Sequence, residues 1–443
     1  MRFCRVHFTR ALCTIIGLVP ALSVAASPLN LNQLTKIAIE NNKDLKAAQY
    51  NVSLAAARIK QAGLWPNPSL QLATTDDRFF TNEGEYTRSV GFSQAFPVSG
   101  RLGKQKNVAR VDIAIALAEI RNAKRQLRGQ VADSFYAIQI TDKRLKQLNN
   151  LLVINQQLMQ VSQKRFYAAE VSELDANTAK LEYQRILQEK QGLDSLKINQ
   201  VAQLNQLLGR TEQTPLILDK RLVKPGVLPA LAELQTNALQ QRPEIQIAWL
   251  NFHRAQADHQ LARAERWADW TVGLGVQQDK IAVDGAPVQK PDRALNVNLA
   301  IPLPLFNANQ GRIRAAALTG TQNLIKVQAL QLAIKTEIAS SYGQVKALQM
   351  TLSQSQTGET SKLIQRNVKL AREAYRNGQI SLLEVLQIQR QQNELQTTRL
   401  NILEKYLQAV VKLCTALGNN KLALCAPFSD NRIINVCIHH EIS

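Results

Sequence analysis

The chain is written twice. Residues 31–51 (LNQLTKIAIENNKDLKAAQYN) align without gaps on 231–251 (LAELQTNALQQRPEIQIAWLN), placing Leu31/Leu231, Leu34/Leu234, Ala38/Ala238, Asp44/Glu244, Ala48/Ala248 and Asn51/Asn251 at one offset of 200. Further along, Gly103-Lys104 matches Gly311-Arg312, and Ala132, Ser134 and Phe135 match Ala339, Ser341 and Tyr342. Phe166, Ser172, Leu174 and Asp175 match Tyr375, Ser381, Leu383 and Glu384, and Leu204-x-x-x-Leu208-Gly209 matches Leu413-x-x-x-Leu417-Gly418. The offset drifts by only a few residues over the whole length, which is the mark of duplication. Whatever the first half folds into, the second must also be able to adopt, and the two must fit side by side.

Each half reads as helix, strand, strand, long helix, turn, helix. In the first, Lys43–Gly63 is helical and Trp65-Pro66-Asn67-Pro68 stops it. Strands are expected at about 69–76 and 86–96, where apolar residues alternate (Leu70, Leu72; Val90, Phe92), and in the second half at about 271–277 and 294–301. Pro97 and Pro302-Leu303-Pro304 close the two hairpins. Lys104–Tyr167 holds no proline and carries stripes such as Leu127, Val131, Phe135, Ile138 at spacings of three and four, which suit helices packed nearly parallel. At 1.5 Å per residue that helix would run about 95 Å, and the helices at 43–63 and 172–207 about 32 and 54 Å. The two shorter ones, stacked end to end, approximately match the long one. The same holds for 243–266, 312–374 and 381–416, so the expected wall is one long helix beside two shorter ones, repeated twice. The units expected are a first repeat at 27–228 with its helical hairpin at 104–209, a second at 229–418 with its hairpin at 312–418, and a tail at 419–443.

Residues 1–26 read as an export signal: Arg2, Arg5 and Arg10, a short apolar run at Ala11–Val19, then small residues around Ser23-Val24-Ala25-Ala26. The run is far below the ~20 residues that cross a bilayer, and no other stretch is apolar enough for a membrane helix. The mature chain is therefore either soluble or a β-barrel. Cys414, Cys425 and Cys437 remain after the signal, and a Cys425–Cys437 disulfide fits an oxidising compartment. The formal net charge is +20, but Lys and Arg are scattered among Gln and Asn without aromatic interleaving, which reads as a solvated helical surface and argues against nucleic acid.

Strands of this length fit a membrane crossing, and a spanning sheet must close, because an open edge leaves amides unsatisfied in lipid. Four strands cannot close, since known barrels start at ~8. The barrel must be shared, and three chains with twelve strands are a natural closure. Trp65, Trp267, Trp270 and Phe92, with Phe79, Phe80, Phe96 and Phe306, flank the strands as interfacial aromatics would. A soluble four-stranded sheet capped by helices would show the same alternation, with the aromatics as core. The fold expected is mainly α with a β-barrel portion: a homotrimer with a 12-stranded transmembrane β-barrel and a long α-barrel.

In this order and spacing, LWPNPSL (64–70), SQAFPVSGRLGK (93–104), IPLPLFNANQGR (301–312), RFYAAEVSELD (165–175), AYRNGQISLLEVL (374–386) and the two L-x-x-x-L-G helix ends resemble the outer-membrane efflux protein (TolC-like) family over about residues 30–418. Overall likeness is greatest to the branch serving heavy-metal exporters. The resemblance implies an outer-membrane exit duct of Gram-negative bacteria, docked on a periplasmic adaptor (membrane fusion protein) and an inner-membrane pump of the resistance-nodulation-division type, with no cofactor and no catalysis. It places the periplasmic tips at Arg165–Asp175 and Tyr375–Glu384, with Arg165, Ser172, Tyr375, Gly378 and Ser381 as contacts to the adaptor. It makes Asp175 and Glu384 entrance carboxylates; Gln387 stands where a second carboxylate is expected, Ile380 where a basic partner is, and Ala169 where the second repeat has Gly378. These departures predict a less tightly locked entrance. Read from the residues alone, Asp175 and Glu384 also suit the first turn of a helix, where acids favour the dipole. His253 and His259 are six apart and share no helix face, and Cys425, Cys437, His439 and His440 fall in the tail, so no metal site is expected. The competing functions are a multidrug or protein-export duct of the same fold and, from another class, a soluble periplasmic coiled-coil adaptor or structural protein.

Overall fold

A computed structural model describes residues 28–77, 84–219, 227–282, 285, 287, 290–355 and 358–418. The signal segment, Phe79 and Phe80, and the tail with Cys425, Cys437, His439 and His440 lie outside the described residues. The first repeat runs α1 (Leu31–Asn41), α2 (Lys43–Gln61), β1 (Ser69–Asp76), β2 (Tyr86–Phe96), α3 (Arg101–Tyr167) and α4 (Glu173–Leu207). The second runs α5 (Leu231–Gln241), α6 (Pro243–Ala264), β3 (Trp270–Lys280), β4 (Asp292–Ala300), α7 (Gln310–Ser355), α8 (Gly358–Arg376) and α9 (Leu382–Leu417). The short helices α1 and α5 are additions to the expected order, and the helix expected at 312–374 is described in two parts, α7 and α8. Asn42 ends α1 and caps α2, its side chain accepting the Leu45 N–H at 2.8 Å. β3 runs on past the expected 277 because its ladder with β2 continues to the Tyr86–Lys280 pair.

α3 lies alongside both α2 and α4, as the length arithmetic requires. The two shorter helices meet end on, with the Asn42 amide donating to the Leu207 carbonyl at 3.0 Å. Gly209, at φ +68°, makes this junction possible, since a Cβ there would sit 2.3 Å from the Asn41 carbonyl oxygen. The second repeat repeats the plan: α7 lies along α6 and α9, and Gly418 at φ +73° lies against Arg242.

Apolar packing is concentrated at two heights. The larger cluster surrounds the two junctions, where Leu34, Leu45, Val131, Phe135, Ile138, Leu204, Leu208, Ile338, Tyr406, Val410 and Leu413 are buried together. The smaller one lies at the far tip, formed by Leu158, Ala179, Ala371, Tyr375, Leu382, Val385 and Leu386. Each buried Leu, Ile, Val or Phe among them contributes about 1.5–3 kcal/mol by leaving water. Cys414, in the larger cluster, is disulfide-bonded, with its partner outside the described residues. The sequence allowed a Cys425–Cys437 bridge; the structure makes Cys414 one half of a disulfide.

Candidate functional site

The four strands form one antiparallel sheet in the order β1-β2-β3-β4, so the two hairpins pair with each other through β2 and β3. Directly opposed residues share a face, and the register therefore sorts every side chain. One row reads Leu70, Phe92, Leu274, Val297, and the next reads Leu72, Val90, Val276, Leu295. Val272 and Leu299 continue the same face. All ten of these side chains are exposed. The opposite face carries Ser69, Ser93, Gly273 and Asn298, then Gln71, Gly91, Gly275 and Asn296. A sheet with a bare aliphatic face and a small, polar reverse face does not match a soluble sheet capped by helices. It matches a wall between lipid and water.

The ends of the apolar face differ. Where the sheet joins the helices, Phe96 pairs with Trp270, and Trp65 meets Phe96 edge to face at 5.7 Å between ring centres. Trp65, Trp267 and Trp270 are exposed at this end, consistent with an interfacial girdle, whereas Phe92 lies two rows in, on the apolar face between Leu70 and Leu274. At this junction Arg101 Nε donates to Asp269 at 2.8 Å, tying the start of α3 to the approach to β3. At the other end the same face turns polar, with Arg88 next to Gln278 and Arg293 in register. Among the described residues no helix is long and apolar enough to cross a membrane.

At the opposite extreme of the molecule are the two helix–turn–helix tips. Both turns use the same backbone device: Ala169 N–H bonds to Phe166 O and Glu170 N–H to Arg165 O, as Gly378 N–H does to Tyr375 O and Gln379 N–H to Ala374 O. Ala169 takes the left-handed conformation (φ 59°) that Gly378 takes at 71°. The first tip therefore departs from the pattern in residue type and keeps it in shape, at a cost of about 1–2 kcal/mol for the Cβ. Ser172 and Ser381 are N-caps: Ser172 Oγ accepts from Asp175 N–H at 3.2 Å, and Ser381 Oγ from Glu384 N–H at 3.3 Å. The Glu384 carboxylate in turn accepts from Ser381 N–H at 2.8 Å, completing a capping box. Glu384 thus does the helix-terminus work its spacing allowed, while the Asp175 carboxylate accepts from the Ser172 hydroxyl at 3.1 Å. Glu384 and Gln387 are exposed, and Asp175 is half-buried.

Arg165 and Tyr375 join the tips to each other. Arg165 Nη1 donates to the Tyr375 carbonyl at 3.0 Å, its guanidinium sits 5.2 Å from the Tyr375 ring centre, and its Nε reaches Glu170 at 3.0 Å. Tyr375 is 1% exposed. Its ring belongs to the tip core, which corrects its expected place on a docking surface. Further along, Glu182 accepts from Arg185 at 2.8 Å on its own helix and from Arg390 of α9 at 3.0 Å. Burial alone would raise the Glu182 pKa, but the two guanidinium hydrogen bonds and charges outweigh it and hold the carboxyl below its ordinary value. This tie went unseen in the sequence because Arg390 stands 208 residues from Glu182. The i,i+3 spacing of Glu182 and Arg185 was the only local trace. Among the described residues no group of three or more His, Cys, Asp or Glu could hold a metal ion.

A sheet with one bare apolar face, carried on helices far longer than any globular core needs, is the pattern to compare with known proteins. The family model for outer membrane efflux proteins matches residues 34–210 and again 234–419. The chain belongs to the outer membrane efflux protein family. Its relatives include the cobalt-zinc-cadmium resistance protein CzcC of Cupriavidus metallidurans, 24% identical over 89% of this chain and 91% of that one. The pyoverdine export outer membrane protein OpmQ of Pseudomonas putida is 27% identical over 89% and 86%. Among solved structures, the Campylobacter jejuni CmeC outer membrane channel superposes with a TM-score of 0.69 over 94% of each chain at 16% identity, which establishes the shared fold. The efflux protein is thus an outer-membrane channel component, and the two matched segments each cover one repeat.

Proposed function

We propose that this efflux protein is the exit duct of a tripartite export system, closed by three copies, and that it passively conducts heavy-metal cations handed on by an inner-membrane pump through a periplasmic adaptor. The observation that carries the reading is the sheet: one continuous exposed apolar face, one polar face, and two free edges at β1 and β4. Edges in lipid must pair. Two copies would give eight strands, whose interior side chains fill, whereas three give twelve and leave a lumen. The long helices, closed by the same operation, continue that lumen below the membrane. Mass measurement in detergent and heat-modifiability on gels test this reading: a water-soluble monomer whose mobility does not change on boiling overturns it.

The metal cargo is supported by the match to CzcC over nearly its whole length; the match to OpmQ favours siderophore export as the second reading. A strain lacking this duct and any redundant one should become sensitive to zinc, cadmium or cobalt. Unchanged metal tolerance with impaired siderophore release would select the second reading.

At the entrance, Glu384 and Gln387, exposed at the second tip, and Asp175 at the first are proposed to face the ions, since three copies of a carboxylate around a narrow axis attract cations. The residues proposed to meet the adaptor are Arg165, Ser172, Gly378 and Ser381 at the turns. Glu384→Gln keeps a residue able to complete the capping box and removes the charge. It should lower cation selectivity in planar bilayers, and unaltered selectivity would remove Glu384 from the ring.

A further inference from the structure

Charge in the four strands is confined to the end away from the helices, and the register sorts it by sign. On the apolar face, the row Leu72, Val90, Val276, Leu295 gives way to Thr74, Arg88, Gln278, Arg293, and the next row holds Asp76, Tyr86 and Lys280. Asp279 and Asp292, opposed in register, fall on the polar face. Three cations and one acid therefore share the apolar face, and two acids the other. A rim that was only solvated would have no reason to divide its charges this way.

The height of the basic row follows from the ladder. From the girdle pair Phe96–Trp270 to the pair Arg88–Gln278 is eight residues, about 27 Å along the strand at ~3.3 Å each. With strands tilted by ~35–45°, that is about 20 Å across the membrane, against an apolar band ~25 Å tall. The row thus lies where hydrocarbon ends and headgroups begin, the one depth besides the girdle at which a lipid-facing cation is tolerated.

Arg88 shows which way these side chains lean. Its guanidinium sits 4.6 Å from the centre of the Tyr86 ring and 3.9 Å from Asp76, and both lie one row further from the helices. The stem covers the apolar face while the head is carried outward, as long cationic side chains do at a membrane surface. Arg293 is exposed in the same row two strands away, about 10 Å from Arg88 by the spacing of strands. Lys280 stands one row further out, on the strand between them. Two guanidiniums at the separation of a disaccharide, each able to present a fork of N–H donors, suit phosphates on a sugar headgroup.

We infer that Arg88, Lys280 and Arg293 form a site on the outer wall of each copy for the phosphates of an outer-leaflet glycolipid, with Arg88 and Arg293 each taking a phosphate and Lys280 adding charge between them. The inference rests on the membrane-spanning duct proposed above, which makes the end of the sheet away from the helices the outer one. It goes beyond that reading by assigning a ligand to the lipid side of the barrel, where the excess of cations over Asp76 supplies the attraction.

The test uses the full-length trimer in a neutral detergent, with a chelator present so that divalent ions do not bridge lipid phosphates to Asp76. Three probes are added in turn: bisphosphorylated lipid A, the same glycolipid with both phosphates removed, and phosphatidylglycerol. Lipid retained per trimer after gel filtration is then counted by mass spectrometry. Wild type should retain bisphosphorylated lipid A several-fold better than either other probe. Equal retention of the dephosphorylated form overturns phosphate recognition, and equal retention of phosphatidylglycerol overturns the assignment to the glycolipid. The triple variant Arg88→Gln, Lys280→Gln, Arg293→Gln should lose the preference, whereas Arg266→Gln, at the helix end of the sheet, should keep it. A triple variant that forms a heat-modifiable trimer and keeps the preference overturns the site. Arg293→Gln alone changes one exposed side chain and should lose part of the preference even if the triple variant fails to assemble; an unchanged preference there also overturns the site. A wild-type protein that is a water-soluble monomer overturns the duct itself, a result distinct from an intact trimer indifferent to lipid phosphate.

Discussion

Where α4 ends on α2, and where α9 ends on α6, the two repeats meet the same geometric problem with different chemistry. The first junction is neutral: Asn42 caps α2 through its oxygen and reaches the Leu207 carbonyl through its amide. The second is a buried charge network. Arg242, 5% exposed, pairs with Glu244 and with Glu337 at 2.6 Å, while Arg125 bonds Glu244 at 2.6 Å and the Thr415 carbonyl at 2.5 Å. Burial pulls the Arg125 pKa down, and Glu244 acts against that pull. One junction holds two helix ends; the other ties α3, α6, α7 and α9 at one height. Duplication has therefore conserved the shape of the joint and left its chemistry free, because the carbonyl at the end of the incoming helix accepts from the Asn42 amide at one joint and from the Arg125 guanidinium at the other.

The difference should be largest on removing the shared acceptor. Glu244→Ala leaves two buried guanidiniums short of a partner and should cost about 3–5 kcal/mol, read as a fall in the melting temperature of the detergent-solubilised protein. Asn42→Ala at the first junction should cost only about 1 kcal/mol, the value of an N-cap. Equal losses would show that the two junctions are equivalent after all. At the tips, Gly378→Ala should cost about 1 kcal/mol by forcing a second Cβ into the left-handed region. Ala169→Gly should gain less than about 1 kcal/mol, since the strain it relieves is partly offset by the freer unfolded chain. The smallest effect is in acid. The Glu182 carboxyl titrates lower folded than unfolded, so its tie to Arg390 is fully present above about pH 4.5 and is lost as pH falls through the lower folded value. Wild type and Glu182→Gln should therefore differ in stability at neutral pH and converge in strong acid; curves that stay parallel would dismiss the tie.

Ties at Arg165–Tyr375 and Glu182–Arg390 join the two helical hairpins of the chain to each other. The positions where the family pattern places partners, Ile380 and Gln387, do lack charge. The structure joins the two hairpins elsewhere, one contact at the turn and one on the α4–α9 face. Neither was legible, because a residue's partner two hundred positions away leaves no spacing to read. The capping box at Ser381 and Glu384 was legible, since its partners stand three apart. Burial of Tyr375 was not, because a tyrosine at a turn reads as surface until the helix that covers it is placed.

Local periodicity determined a great deal here. The repeat, the strand alternation and the helix lengths set the element order and the long-beside-two-short wall, since each follows from residues a few positions apart. Tertiary structure decided the rest: that β2 pairs with β3, that every large aliphatic side chain of the four strands then falls on one face, and which helix faces are left bare. Those outcomes depend on register between segments far apart in the chain. A shift of one residue would have sent each side chain to the opposite face, and only the packed structure selects among such shifts.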